Sequence, residues 1–259
     1  MNRRPDPMPR FHRWRSNILQ IPVMAMVTAT CGSVALFFSL FEKRGRVQHR
    51  IAQFWARMLV LLSGAKLTVL GAENLKRFPV AVFASNHTSY MDTPVVFASL
   101  PIQFRILAKK ELWPIPFIGW YLNRSGQIPI DTKTARGTLT SLANGVRALN
   151  SGTPLFVFPE GGRTQDGDLQ SFMSGAAYLA IKAQVPLIPI ALCGVYDLLP
   201  IHTRHFYPTE MTLAVGEPIE TTGMTVRQVN ELNDQLRTKI NEMIEQSESC
   251  AETPVLTER

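Results

Sequence analysis

The stretch VAVFASNHTSYMDTPVVFASL, residues 80–100, decides how the whole chain is read. Its first six residues are an apolar run that closes on Ser85 and Asn86 and reads as a buried strand. Its last eight, TPVVFASL, read as a helix with Pro94 in the first turn, where the missing N–H breaks no hydrogen bond. His87 and Asp92 fall between the two. On a regular helix, positions five apart sit roughly 140° apart around the axis and cannot face each other. A working pair therefore requires the chain to turn between them, and a strand-to-helix turn is a common place to build an active site.

Outward from that turn the same punctuation recurs. Further strands are predicted at KLTVLG (66–71), FRILA (104–108), QIPI (127–130), PLFVF (154–158), LIPIAL (187–192) and MTLAV (211–215). Helical patterns fill 135–150, 175–184 and 226–246, the last opened by Thr225 and Gln228 at the spacing of a capping box. Alternating strands and helices predict an α/β fold, a central mixed sheet flanked by helices, with an N-terminal membrane-associated helical segment. Three parts follow: a basic, apolar helical hairpin over 1–62, the main domain over 63–246, and a mobile tail over 247–259. No internal repeat is visible.

The membrane expectation rests on 18–41, mostly apolar and free of charge. At 1.5 Å per residue it reaches ~36 Å, enough to cross a hydrocarbon layer of ~30 Å. Gln20, Pro22, Thr28, Thr30, Gly32, Ser33 and Ser39 interrupt it, and both flanks are basic: Arg3, Arg4, Arg10, Arg13 and Arg15 before, Lys43, Arg44, Arg46 and Arg50 after. With positive charge on both sides, a re-entrant hairpin with both ends on the cytoplasmic side satisfies the positive-inside rule most simply. The amphipathic run IAQFWARMLVLL (51–62) supplies its second arm.

A net charge of +7 favours anionic partners. Much of that charge flanks the apolar segment, and no phosphate loop or nucleic-acid motif appears, so nucleic acid is not expected as a partner. Cys31, Cys193 and Cys250 are odd in number and far apart, which points to a reducing compartment rather than a disulfide framework. His202 and His205 in HTRH lack a third ligand, and no metal site is assigned to them.

Three more stretches carry chemistry. FPEGGRT (158–164) follows a strand; its glycines let the backbone approach a ligand, and Arg163 suits bidentate contact with phosphate. In LAKKELWPIPFIGWYLNRSGQIPID (107–131), Lys109 and Lys110 stand at a strand end before an aromatic run fit for an acyl groove or a membrane interface. VPLIP (185–189) opens the sixth strand. Singly each is weak. Together, in this order and spacing, they resemble the glycerolipid acyltransferases, specifically 1-acylglycerol-3-phosphate acyltransferases, marked by H-x4-D, K-x-x-L-x-x-x-P-x-x-G, F-P-E-G-T-R-S and V-P-[IVL]-[IVL]-P. The resemblance covers about 65–220. Two departures stand out: Gly162 occupies the place of the family's threonine, and Thr132 that of its arginine after GQIPID, with Lys133 and Arg136 nearby as substitutes.

The resemblance implies acyl transfer from acyl-CoA or acyl-ACP to the sn-2 hydroxyl of lysophosphatidic acid, with no cofactor. It makes His87 the general base and Asp92 its orienting partner, and assigns substrate binding to Asn86, Lys109, Glu160, Gly161, Gly162 and Arg163. Histidine as a residue type titrates near neutrality and takes a proton from an attacking alcohol. Ser89, or backbone N–H groups at the turn, are candidates for supporting the oxyanion. It also implies a membrane phospholipid surface as a partner, and a membrane-associated enzyme whose site faces the cytoplasm. Alternatives are transacylation, acylation of another lysolipid, or a lipid-binding protein that lost activity. A serine hydrolase built on Ser89 or Ser174 lacks the G-x-S-x-G elbow.

Overall fold

A computed structural model of the chain describes residues 13–42 and 44–252. Arg3, Arg4, Arg10 and Lys43 of the basic flanks, and 253–259 of the expected tail, lie outside the described residues.

The helices are α1 (Arg15–Phe38), α2 (Arg46–Ser63), α3 (Asn74–Arg77), α4 (Asp92–Ser99), α5 (Ile118–Arg124), α6 (Ala135–Asn150), α7 (Gly175–Ala183), α8 (Val195–Leu198) and α9 (Val229–Glu252). The strands are β1 (Lys66–Leu70), β2 (Val82–Ser85), β3 (Arg105–Lys109), β4 (Ile128–Ile130), β5 (Leu155–Val157), β6 (Leu187–Cys193) and β7 (Glu210–Val215). They form one sheet in the order β1-β7-β6-β2-β5-β3-β4. β6, β2, β5, β3 and β4 are mutually parallel; β7 runs against β6 and carries β1 parallel to itself. The expected mixed sheet is thus present. Pro129 sits in edge strand β4, where its missing N–H denies a foreign strand one bond.

Strand alternation divides the core into two layers. Phe83, Phe156, Ile188 and Ile190 face α2 and α4, joined by Val95, Val96, Phe97 and Phe104. Val82, Ala84, Leu155, Val157 and Leu187 face α6, α7 and α9, joined by Leu179, Leu232 and Leu236. Burial on both faces explains why β2 reads as a continuous apolar run rather than an alternating one. α2 is anchored on α4 through His49, whose Nε2–H donates to the Ile102 carbonyl at 2.9 Å between the rings of Phe97 and Phe104. Burial lowers the His49 pKa, so the ring sits there neutral.

Of the polar residues that interrupt the apolar N-terminal run, Gln20 and Ser39 are buried, whereas Thr28, Thr30 and Ser33 are exposed. Gln20 donates to the Leu62 and Ser63 carbonyls at 2.8 and 3.2 Å, Ser16 donates to Gln20 at 3.0 Å, and the Trp55 indole donates to Thr28 at 2.9 Å. They pin α1 against α2, and the opposite face of α1 exposes Ile18, Leu19, Met26 and Phe37. Among the described residues α1 is the one helix long and apolar enough to cross a membrane. At the other end, the expected tail differs: α9 continues helical to Glu252, because SESCAE holds no glycine or proline to stop it.

Candidate active site

The parallel strands all end on one side of the sheet, and the loops that follow β2, β3 and β5 meet there, where open α/β sheets place their ligands. After β2 the chain leaves extended conformation at Asn86 and enters α4 at Asp92. That turn closes on the aspartate. A single oxygen, Asp92 Oδ2, accepts the backbone N–H of Thr88 at 2.6 Å, that of Ser89 at 2.8 Å and the Nδ1–H of His87 at 2.7 Å. Asp92 is fully buried, and as the first residue of α4 its charge also meets the positive end of the helix dipole. With Nδ1 donating, His87 Nε2 is left to accept, and among the described residues it has no partner.

The loop after β5 holds His87 on three sides. Glu160 Oε1 accepts its backbone N–H at 2.7 Å, the Thr164 N–H donates to its carbonyl at 3.0 Å, and the Phe158 ring stacks on the imidazole at a centroid distance of 4.0 Å. The sequence placed Glu160 among the substrate-binding residues, whereas both its oxygens are occupied by main chain, the second by the Gln170 N–H at 3.2 Å. Burial pushes its pKa up to about 7 against those two hydrogen bonds. Gly161 takes a φ of +69°, a left-handed backbone that favours glycine, and a Cβ there would stand 2.2 Å from the Met173 methyl, the flexible end of an exposed side chain that would have to shift.

Arg163 turns back over the site. Its Nε donates to the Ser89 carbonyl at 3.0 Å and its guanidinium lies 4.3 Å from the centre of the Tyr90 ring. These contacts leave its terminal nitrogens without a protein partner among the described residues. A Cβ at Gly162 would stand 3.8 Å from Lys109 Nζ, which brings Lys109 and the 161–163 turn together. The neighbouring cations are otherwise engaged: Lys110 pairs with Asp131 at 3.2 Å and Lys133 with Glu111 at 2.8 Å. Thr132 and Arg136 are exposed. Gly119, the last position of the K-x-x-L-x-x-x-P-x-x-G block, is tight for another reason: a Cβ there would overlap the Trp113 carbonyl oxygen at 1.8 Å.

Two expectations are corrected by contacts. Asn86 does not face the site; it is 2% exposed, and its amide donates to the Leu192 carbonyl at 2.9 Å and accepts the Leu192 N–H at 2.8 Å, stitching β2 to β6. Ser89 is not available to an oxyanion or as a nucleophile, since its buried hydroxyl donates to the Leu199 carbonyl at 2.8 Å. Sequence reasoning assigned no role to Phe158, Tyr90 or Thr164. For Phe158 a signal existed, an aromatic at the end of a buried strand; for the others the partner is visible only in three dimensions. Among the described residues no three His, Cys, Asp or Glu side chains gather as a metal set.

The acyltransferase family profile matches residues 66–193. The chain is 34% identical to the chloroplastic 1-acyl-sn-glycerol-3-phosphate acyltransferase LPAT1 of Arabidopsis thaliana over 63% of its own length and 46% of that protein's. It is 28% identical to the human 1-acyl-sn-glycerol-3-phosphate acyltransferase beta over 79% of its length and 75% of that protein's. It thus spans about half the length of two chloroplastic relatives, 46% and 48%, and 75% of the human one. The crystal structure of the 1-acyl-sn-glycerophosphate (LPA) acyltransferase PlsC from Thermotoga maritima superposes with a TM-score of 0.77 at 24% identity, covering 92% of this chain and 98% of that one, which shows the shared fold.

Proposed function

We propose that this chain, which belongs to the acyltransferase family, transfers a fatty acyl group from an acyl thioester to the sn-2 hydroxyl of lysophosphatidic acid, giving phosphatidic acid. The observation that carries the reading is the 2.7 Å bond between His87 Nδ1 and the buried Asp92, which leaves Nε2 free to take a proton at the strand ends. Nε2 takes the hydroxyl proton as the oxygen attacks the thioester carbonyl, forming the new C–O bond. Asp92 holds the tautomer and stabilises the imidazolium. Collapse of the tetrahedral intermediate breaks the C–S bond, and the departing thiolate takes the proton back from His87. The thioester is already activated, so the step calls for no covalent enzyme intermediate and no cofactor.

The acceptor's phosphate sits between Arg163 and Lys109, the two cations at the site left without carboxylate partners. The acceptor arrives from a membrane: the exposed apolar face of α1, with Ile115, Phe117, Ile118 and Trp120 exposed around α5, presents lipid-compatible surface next to helices that pack together. The donor arrives from the cytoplasm. The test is transfer by the detergent-solubilised chain from palmitoyl-CoA, and from palmitoyl-ACP, to lysophosphatidic acid, with His87→Ala beside it. Transfer lost in the variant is expected. No transfer from either thioester by folded protein sinks the assignment, and transfer from a phospholipid without any thioester turns it into a transacylase.

A further inference from the structure

The C-terminal helix supplies none of the reacting groups, yet its polar flank reaches them in a few steps. Val229, Leu232, Leu236 and Ile240 recur at helical spacing and bury α9 in the second core layer, so the helix is a fixed mount. Asn233 and Arg237 follow Leu232 and Leu236 by one position each, which sets them about 100° round the axis and one turn apart on the same flank. Both spend their donors on the loop that leaves the 161–163 turn. Asn233 Nδ2 donates to the Phe172 carbonyl at 3.1 Å; Arg237 Nε donates to the Gln170 carbonyl at 3.2 Å and its Nη2 to the Leu169 carbonyl at 3.5 Å. Arg237 lies past the last of the four motifs that carry the family resemblance.

The Leu169 contact is the informative one. That carbonyl belongs to the same peptide group as the Gln170 N–H, and in a trans peptide the two point opposite ways. One end therefore meets the Arg237 guanidinium, and the other donates to Glu160 Oε2 at 3.2 Å. Glu160 Oε1 in turn accepts the His87 N–H at 2.7 Å. A cation on the carbonyl polarises the peptide and strengthens its N–H as a donor, as links in a chain of hydrogen bonds do. Charge acts on the same carboxyl directly. Burial pushes the Glu160 pKa up most and Asp92, from the turn into α4, adds to it, whereas the two main-chain N–H groups and Arg237 pull it down. Both Glu160 oxygens face N–H donors, so a proton on either one loosens a link.

We propose that Arg237 is a positioning residue for the acyl transfer: mounted on α9, it fixes the peptide between Leu169 and Gln170, through that peptide Glu160, and through Glu160 the backbone of His87. The proposal rests on the general-base reading of His87 above and extends the site to a helix that touches no substrate. Two features set the contact apart from an ordinary surface one. The guanidinium sits on two successive carbonyls, a use of arginine's rigid fork that a side chain loose in solvent does not select. The loop it holds is also tied to the turn on both sides, the Met173 N–H donating to the Pro159 carbonyl at 2.8 Å and the Thr164 N–H to the His87 carbonyl at 3.0 Å. A shift at 169–170 is therefore passed on to His87 rather than absorbed by slack chain.

The test uses the full chain in detergent. Arg237→Gln should lower kcat about fivefold with KM for both substrates kept. The deficit should be largest just above about pH 7, where Glu160 holds a proton in the variant that it has lost in the unaltered chain, and should shrink at more alkaline pH. Arg237→Lys keeps the charge and loses the fork, so it should remove that pH dependence and restore part of the rate. Asn233→Ala frees the Phe172 carbonyl and removes no charge, so its deficit should not vary with pH. In a Glu160→Gln background, Arg237→Gln should cost no more than about twofold further. An Arg237→Gln deficit constant across pH, a loss undiminished in the Glu160→Gln background, or a rise in acceptor KM alone overturns the proposal. A readout without turnover separates it from the reaction. The melting temperature of Glu160→Gln relative to its parent, followed against pH, should level off at higher pH when the parent carries Arg237→Gln. That shift, with no transfer by the unaltered chain, sinks the reaction and supports the coupling; transfer with no shift sinks the coupling and spares the reaction.

Discussion

The turn that carries His87 and the corner that carries Lys109 and Arg163 stand side by side at the strand ends, and they are built in opposite ways. At the turn nearly every polar group is committed: Asp92 Oδ2 holds three N–H donors, Glu160 holds two, Ser89 is tied to Leu199 and Asn86 to Leu192. At the corner two cations stand close to a glycine with no carboxylate between them. Satisfied networks fix geometry, whereas unpaired charge is held ready for a ligand. The comparison teaches that chemistry here is positioned by main chain, and binding by what the main chain leaves unanswered.

The largest expected effects test the rigid half. His87→Ala should lower kcat by roughly three orders of magnitude, within the range of general-base catalysis, with KM for both substrates little changed. Asp92→Asn should cost nearly as much, because a neutral amide no longer stabilises the imidazolium, and an NH2 turned toward Nδ1 would force the other tautomer and lose both backbone N–H bonds. It should also lower the melting temperature, which His87→Ala should not. Loss of stability in both, or in neither, would break the distinction between a reacting group and the group that holds it.

Arg163→Ala tests the open half. Acceptor KM should rise about tenfold or more with kcat nearly kept, and Lys109→Ala should do the same more weakly, since an exposed ammonium loses less than a fork. Equal losses in kcat and kcat/KM would mean that Arg163 acts through its bond to the Ser89 carbonyl and belongs to the turn.

Much of this was legible in the sequence. Every strand was, because each is a short apolar run closed by turn residues, and the Thr225 and Gln228 cap was, because its spacing has a mechanism. The order of strands was not. β5 lies between β2 and β3 although it follows both β3 and β4 in the chain, and that adjacency puts Glu160 on the His87 N–H rather than on a substrate. Asn86 misled for the same reason: a buried amide bridging two strands and an amide facing a ligand look alike until Leu192 is placed beside it.

Glu160 offers a smaller, pH-dependent test of the same line between committed and open groups. Its carboxyl, pushed up to about 7 chiefly by burial with Asp92 adding to it, takes up a proton on folding at any pH between its ordinary range and 7. The folded state then binds more protons than the unfolded one, so its stability falls as pH rises from about 4.5 to about 7. Glu160→Gln cannot titrate, and its melting temperature relative to the unaltered chain should climb across that window and level off above it. A difference that stays constant with pH would mean the carboxyl carries the same charge folded and unfolded.

The smallest effect sharpens the comparison most finely, because it contrasts adjacent glycines. Gly161 belongs to the committed side: its φ of +69° is left-handed, and Gly161→Ala should cost about 1–2 kcal/mol. Gly162 belongs to the open side. Its φ is not left-handed, and the nearest atom to an added Cβ is Lys109 Nζ at 3.8 Å, an ordinary contact with the end of a flexible chain. Gly162→Thr, which restores the family's residue, should therefore fit without strain and remove freedom from the unfolded chain, a gain of about 0.4–1 kcal/mol. In a chain of this length that amounts to a rise in melting temperature of a few degrees at most, ~1–4 °C. Its hydroxyl would stand beside the Lys109 ammonium, so acceptor KM should move by no more than about threefold in either direction, a fraction of one charge-assisted contact. A melting temperature lowered by several degrees would mean that the corner is packed as closely as the turn, and that the division between the two halves of the site does not hold.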